Sequence, residues 1–186
     1  MKRAGRRWLG ILLVATALQA QPALSQDDTA LEYRVKAAFL FNFTKFVEWP
    51  AGAFVNATTP LTICVLGNDP FGAVLDETVR DKQVNNRSLA VRRISQVAET
   101  RDCRILFISN SERQQLSDIT RSIQGLPVLT VGEAPEFTDA HGMIRFLIVD
   151  GKVRFIVNRR ATEQAQLALS SKLLSVAQDV VGGPAQ

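Results

Sequence analysis

Histidine is almost missing from this chain. His141 is the only one among 186 residues, so no histidine cluster can ligate zinc, and a Ser–His–Asp relay would have to be built on it. It stands beside Gly142 and reads as a turn residue. No serine occupies a Gly-x-Ser-x-Gly elbow, and Gly67-x-x-x-x-Gly72 is not followed by Lys-Ser or Lys-Thr, so the phosphate loop is absent too. The acidic pairs Asp27-Asp28 and Asp76-Glu77 read as a solvated tail and a helix surface rather than a glycosidase couple. Nothing here calls for a metal or a cofactor, and these gaps point away from an enzyme.

Long apolar runs are also scarce. Trp8–Leu18 is too short to cross a bilayer, and no later stretch approaches the ~18 apolar residues that a spanning helix needs. That run is preceded by Lys2, Arg3, Arg6 and Arg7 with no acid, and followed by Ala23-Leu24-Ser25. A charged start, an apolar stretch and a small-residue cleavage site make residues 1–25 a signal peptide, cut before Gln26. The expected compartment is the periplasm, with no membrane insertion after cleavage.

Removing the leader changes the charge. The whole chain is +4, from 22 basic and 18 acidic residues, and the leader holds four of the basic ones. The mature part is therefore near neutral. Arg92-Arg93 and Arg159-Arg160 are only pairs, not the concentrated basic surface that nucleic acid or anionic lipid requires. Nucleic acid is excluded as a partner.

Residues 26–186 are enough for a single domain with a real core. Leu61–Leu66, Leu89–Ile94, Arg104–Ser109 and Val128–Val131 read as strands, with helices after Gly72 to about Arg80 and over Glu112–Ile123. Strands alternating with helices predict a parallel sheet covered on both faces. Met143–Val149 and Lys152–Val157 flank Asp150-Gly151, a strong hairpin signal. Asn158 then caps a helical tail to about Ala177, with a break near Ser170-Ser171. The expected fold is a three-layer α/β sandwich, mostly parallel at its centre, with a C-terminal antiparallel hairpin.

The aromatic residues are unevenly spread. Six of the thirteen fall in one segment, Leu31–Pro50: Tyr33, Phe39, Phe41, Phe43, Phe46 and Trp49. At 100° per residue Val35, Phe39, Phe43 and Phe46 share a face widened by Leu40 and Val47, while Arg34, Thr44, Lys45 and Glu48 lie opposite. The segment reads as an amphipathic helix stopped by Pro50. Phe41 falls on the polar side, which a core does not need but a partner does. Phe41, Arg34, Lys45 and Glu48 are therefore the candidate partner contacts.

The segment Val-Lys-Ala-Ala-Phe-Leu-Phe-Asn-Phe-Thr-Lys-Phe-Val-Glu-Trp-Pro resembles the opening signature of the YfiR-like family of periplasmic proteins. Gly142-Met-Ile-Arg-Phe, Asp150-Gly-Lys-Val-Arg-Phe and Ser170-Ser-Lys-Leu-Leu resemble its closing motif in the same order. The resemblance runs from about Leu31 to Ala177. It implies a repressor that docks onto the sensor region of a membrane-bound diguanylate cyclase, keeping cyclic-di-GMP and biofilm formation low, with redox or envelope stress as the release. The alternative is a periplasmic small-ligand sensor or binding protein.

Cys64 and Cys103 are the only cysteines, and both belong to the part exported to an oxidising compartment. Their strands are neighbours in common doubly wound orders, so a bridge is geometrically possible, with two buried thiols as the other option. The family resemblance implies a disulfide at matching positions; a second late pair found in some members is lacking. In an open parallel sheet ligands sit beyond the carboxyl ends of strands. That places Asn68, Asp69, Asn110, Ser111 and Glu133 as candidate ligand contacts, although the same residue types also cap helices. A homodimer is expected from the prevalence of two-fold assemblies.

Overall fold

The computed structural model describes residues 26–183; the leader assigned to residues 1–25 lies outside them. Helix α1 spans Gln26–Phe46 and runs directly into β1, Val47–Glu48. Then follow β2 (Leu61–Leu66), α2 (Ala73–Val79), β3 (Gln83–Val84), β4 (Arg87–Ile94), β5 (Ile105–Ile108), α3 (Leu116–Ser122) and β6 (Leu129–Gly132). The C-terminal part holds β7 (Ile144–Val149), β8 (Lys152–Asn158), α4 (Arg159–Gln164), β9 (Ala168–Leu169), α5 (Ser171–Ser175) and β10 (Asp179–Val181). Among the described residues no helix is long and apolar enough to cross a membrane.

Eight strands form one sheet in the order β3-β4-β2-β5-β6-β7-β8-β10. The run β4-β2-β5-β6-β7 is parallel throughout, whereas β7–β8 and β3–β4 are antiparallel hairpins. The central strands β2 and β5 are buried along their whole length, as strands covered on both faces must be. Their side chains alternate between two cores. Leu61, Ile63, Val65, Ile105 and Phe107 pack under α1 and α2, and Cys64, Leu66, Leu106 and Ile108 pack under α3. The result is a mixed α/β fold with a mostly parallel centre and layers on both faces, as the alternation of elements predicts.

Three expectations need correction. The tail after Asn158 is not one broken helix: α4 and α5 are short, and β9 and β10 lie between and after them. Helix α1 begins before Leu31 and ends at Phe46, ahead of Pro50. Its buried stripe is also rotated by roughly 90° from the aromatic one, at 100° per residue. Lys36, Ala37, Leu40, Phe43 and Thr44 are buried, while Val35 is exposed and Phe39 and Phe46 are half-buried. Thr44 goes inside because its hydroxyl donates to the Phe41 carbonyl at 2.5 Å, which removes the cost of an unpaired buried donor.

The two ends of the chain meet. Val47 and Glu48 pair antiparallel with Leu169 and Ala168, and the Ser170 N–H donates to the Phe46 carbonyl at 2.9 Å. Ser170 then caps α5, its hydroxyl accepting from the Leu173 N–H at 3.2 Å. Phe39 and Phe43 of α1 pack against Phe146 and Phe155 of the β7–β8 hairpin, with ring centroids 5.3–5.9 Å apart, a spacing at which aromatic pairs attract beyond simple burial. The opening and closing motifs are thus two parts of one packed unit.

Candidate functional site

Strands β2 and β4 lie on one side of a crossover and β5 and β6 on the other, so the chain reverses direction at β2/β5. Such a reversal opens a crevice at the carboxyl ends of the strands. The structure brings part of the expected constellation there. Asn68 and Ser111 meet: the Asn68 N–H donates to the Ser111 hydroxyl at 3.0 Å, and that hydroxyl donates to Glu112 at 2.8 Å. Gly67 has φ +86°, and a Cβ there would collide with Ser111 and Glu112. The crevice is drawn shut at this point.

Asp69 faces elsewhere. One carboxylate oxygen accepts from the Phe71 N–H at 2.8 Å and the other from Arg93 Nε at 2.9 Å. Arg93 also grips Asp76 through two bonds of 2.8 and 2.5 Å and donates to the Gly72 carbonyl. This fork holds the Asp76 carboxyl below the usual carboxylate range, the hydrogen bonds from Arg93 being the main cause. Asn110 is exposed at the start of the turn after β5. Glu133 points at α1. Most of these polar groups hold one another, so a ligand entering the crevice has to displace existing bonds.

Around Glu133 lies a cluster that the sequence reading missed. Lys36 is 2% exposed, and its amine is met by two acidic side chains. Its Nζ lies 2.6 Å from Glu133 Oε2, contacts Glu32 as well, and stands 4.5 Å from the centre of the Tyr33 ring. The Tyr33 hydroxyl donates to the same Glu133 oxygen at 3.2 Å. Burial first, and the neighbouring Glu133 second, push the Tyr33 phenol well above its ordinary value. The Glu32/Lys36 spacing of four residues was a usable sequence signal; the Glu133 partner, 97 residues away, was not.

The candidate partner contacts form a second place of interest. Phe41 is half-buried, with the Lys45 ammonium 4.2 Å and the Lys82 ammonium 4.3 Å from its ring centre. Two cations on one ring is an arrangement favoured by the ring's quadrupole. Arg34 and Glu48 are exposed, Arg34 on α1 and Glu48 on β1. His141 is exposed in a turn at φ +63°. Among the described residues no group of three or more His, Cys, Asp or Glu side chains is placed to hold a metal ion.

Cys64 and Cys103 are joined in a disulfide, with Cα atoms 5.8 Å apart across a sequence separation of 39. Both are fully buried in the core under α3. A reductant reaches that bond only after local opening of the surrounding structure.

Comparison with known proteins supplies the identity. Among solved structures, an ABC domain in complex with L-Trp from Streptococcus pneumonia is similar, with a TM-score of 0.48 and 11% identity. That alignment covers 67% of this chain, and the chain spans only 57% of that protein. Among curated proteins none matches. A family model described as YfiR/HmsC-like matches residues 33–178, from Tyr33 in α1 to the residue before β10. With that span and both end motifs in one packed unit, the chain belongs to the YfiR/HmsC-like family.

Proposed function

We propose that this protein is a periplasmic regulator that docks onto the sensor region of a membrane-bound diguanylate cyclase and represses it, lowering cyclic-di-GMP signalling and biofilm formation. The observation carrying this reading is the family match over residues 33–178. Repression of this kind is differential binding: the regulator holds the inactive cyclase more tightly than the active one. A hundred-fold preference amounts to about 2.7 kcal/mol. The Phe41 face of α1, with Arg34, Lys45 and Glu48, is the proposed contact. Lys45 and Lys82 carry no carboxylate within ion-pair distance among the described residues, which leaves their charge for a partner. The buried disulfide holds the fold, and any redox control works through opening of the protein rather than direct attack.

The test is to export the protein in cells that carry a membrane cyclase with a periplasmic sensor and to measure cyclic-di-GMP. The expected result is a fall in the dinucleotide that Phe41→Ala reverses. That variant should lose much less stability than the ~3–5 kcal/mol of a core Phe→Ala change. Unchanged cyclic-di-GMP, together with no cyclase retained on the immobilised protein, defeats the repressor reading.

A further inference from the structure

The β7–β8 hairpin has two unlike faces. Ile144, Phe146, Val153, Phe155 and Val157 pack into the core under α1. The alternate residues, Arg145, Leu147 and Val149 on β7 and Lys152, Arg154 and Ile156 on β8, belong to neither core. Strand alternation puts all six on the opposite face. The register sets Arg145 against Ile156, Leu147 against Arg154 and Val149 against Lys152. Every cation therefore stands across from an aliphatic side chain. In sequence these cations are separated by apolar residues and look isolated; only the hairpin gathers them.

The charges on this face are largely unanswered. Lys152 and Arg154 are exposed and have no carboxylate within ion-pair distance among the described residues, and the half-buried Arg145 is anchored on the Pro135 carbonyl with its Nε buried and unpaired. Asp179, which pairs in register with Ile156, adds an acid at the edge of this face, and its carboxylate accepts from the Val180 N–H. Lys152, next to the turn, also borders the groove toward α1. That groove is larger than the others described and opens on the α1 side, and none of the other five residues lines it or any of them, so the outer face is an open surface rather than a pocket for the anchoring side chains that protein partners use. An open sheet surface that alternates long cationic stems with half-buried aliphatics matches diffuse negative charge over an apolar layer.

We propose that the outer face of the β7–β8 hairpin, through Arg145, Lys152 and Arg154, rests on an anionic phospholipid surface. Each interfacial cation adds roughly five-fold to partitioning, at about 1 kcal/mol per Lys or Arg. The contact is weak and reversible, and it keeps the protein close to membrane-embedded partners.

The test uses the exported, purified protein and two sets of vesicles, phosphatidylcholine alone and phosphatidylcholine mixed with phosphatidylglycerol. Cosedimentation should occur only with phosphatidylglycerol and should fade as salt rises. Lys152→Gln with Arg154→Gln should lower partitioning by about 25-fold. Arg80→Gln with Arg101→Gln, an equal charge change at exposed positions on other elements, should leave it within about two-fold. Binding without phosphatidylglycerol, no binding at all, or an equal loss in both double variants overturns the proposal. So does salt-sensitive association with a purified cyclase sensor domain in place of vesicles, which assigns the face to an acidic protein. Failure here leaves the repressor reading standing, because that is read from cyclic-di-GMP.

Discussion

Lys36 offers the sharpest test of the packing argument. Its side chain is 3% exposed, against 12% for Glu133 and 30% for Glu32. Replacing Lys36 by Met keeps the length and removes the charge, leaving the Glu133 carboxylate buried with only the Tyr33 hydroxyl. Breaking one side of a buried pair costs ~3–5 kcal/mol. The lower end applies, because Tyr33 still donates and Glu133 is not wholly enclosed. A loss of about 3 kcal/mol is a large part of a typical ~5–15 kcal/mol stability, and it lowers Tm by about 6–12 °C for a chain of this size. The assay is urea denaturation with calorimetry of the exported protein. Lys36→Met with Glu133→Gln should recover at least half of the loss, since a neutral amide needs no counter-charge and still accepts from Tyr33. A single-variant loss below about 1 kcal/mol refutes the reasoning. So does a double variant as poor as the sum of the two single ones.

The disulfide closes a loop of 39 residues, which the chain-entropy model converts to about 4 kcal/mol; Cys64→Ala with Cys103→Ala should lose most of that in urea denaturation, and a loss under about 1 kcal/mol defeats the estimate. In the native protein, thiol release under reductant should follow the opening of the fold, so variants that speed unfolding speed reduction in parallel. Tyr33 governs the alkaline limb. Its folded pKa is raised, so its contribution is fully present below the unfolded value near ~10 and is lost as pH climbs from there toward the folded value. Tyr33→Phe should flatten the fall in stability above pH ~10 relative to the parent protein, and an unchanged slope shows that the phenol is not shielded.

How far the sequence reached can be followed element by element. Leu61–Leu66 is apolar at every position but Thr62, a β-branched residue, and is bounded by Pro60 and Gly67, so a strand buried on both faces was legible, as was the Asp150-Gly151 hairpin. The tail was not. Ala168-Leu169 and Asp179-Val180-Val181 become strands because β1 and β8 offer them edges, and two or three residues carry no periodicity that reveals such a partner. In α1 the apolar count favoured the aromatic stripe. The actual buried stripe includes Lys36 and Thr44 because their polar ends find Glu133 and the Phe41 carbonyl. For the crevice, sequence named the loops correctly as strand ends, but not that Arg93 would engage Asp69, or that Lys36 and Tyr33 would engage Glu133.

By itself, then, the sequence determined the alternation of strands and helices and the balance of charge over residues 26–186, because composition and local periodicity are properties of neighbouring residues. The family was legible for another reason: its two signatures are each written in one short stretch. The tertiary structure decided which face of α1 is buried, which carboxylates answer Lys36 and Arg93, and that three scattered cations share one face of the hairpin. Those are matters of distance between residues far apart in the chain, set only once strand register and helix rotation are fixed by packing.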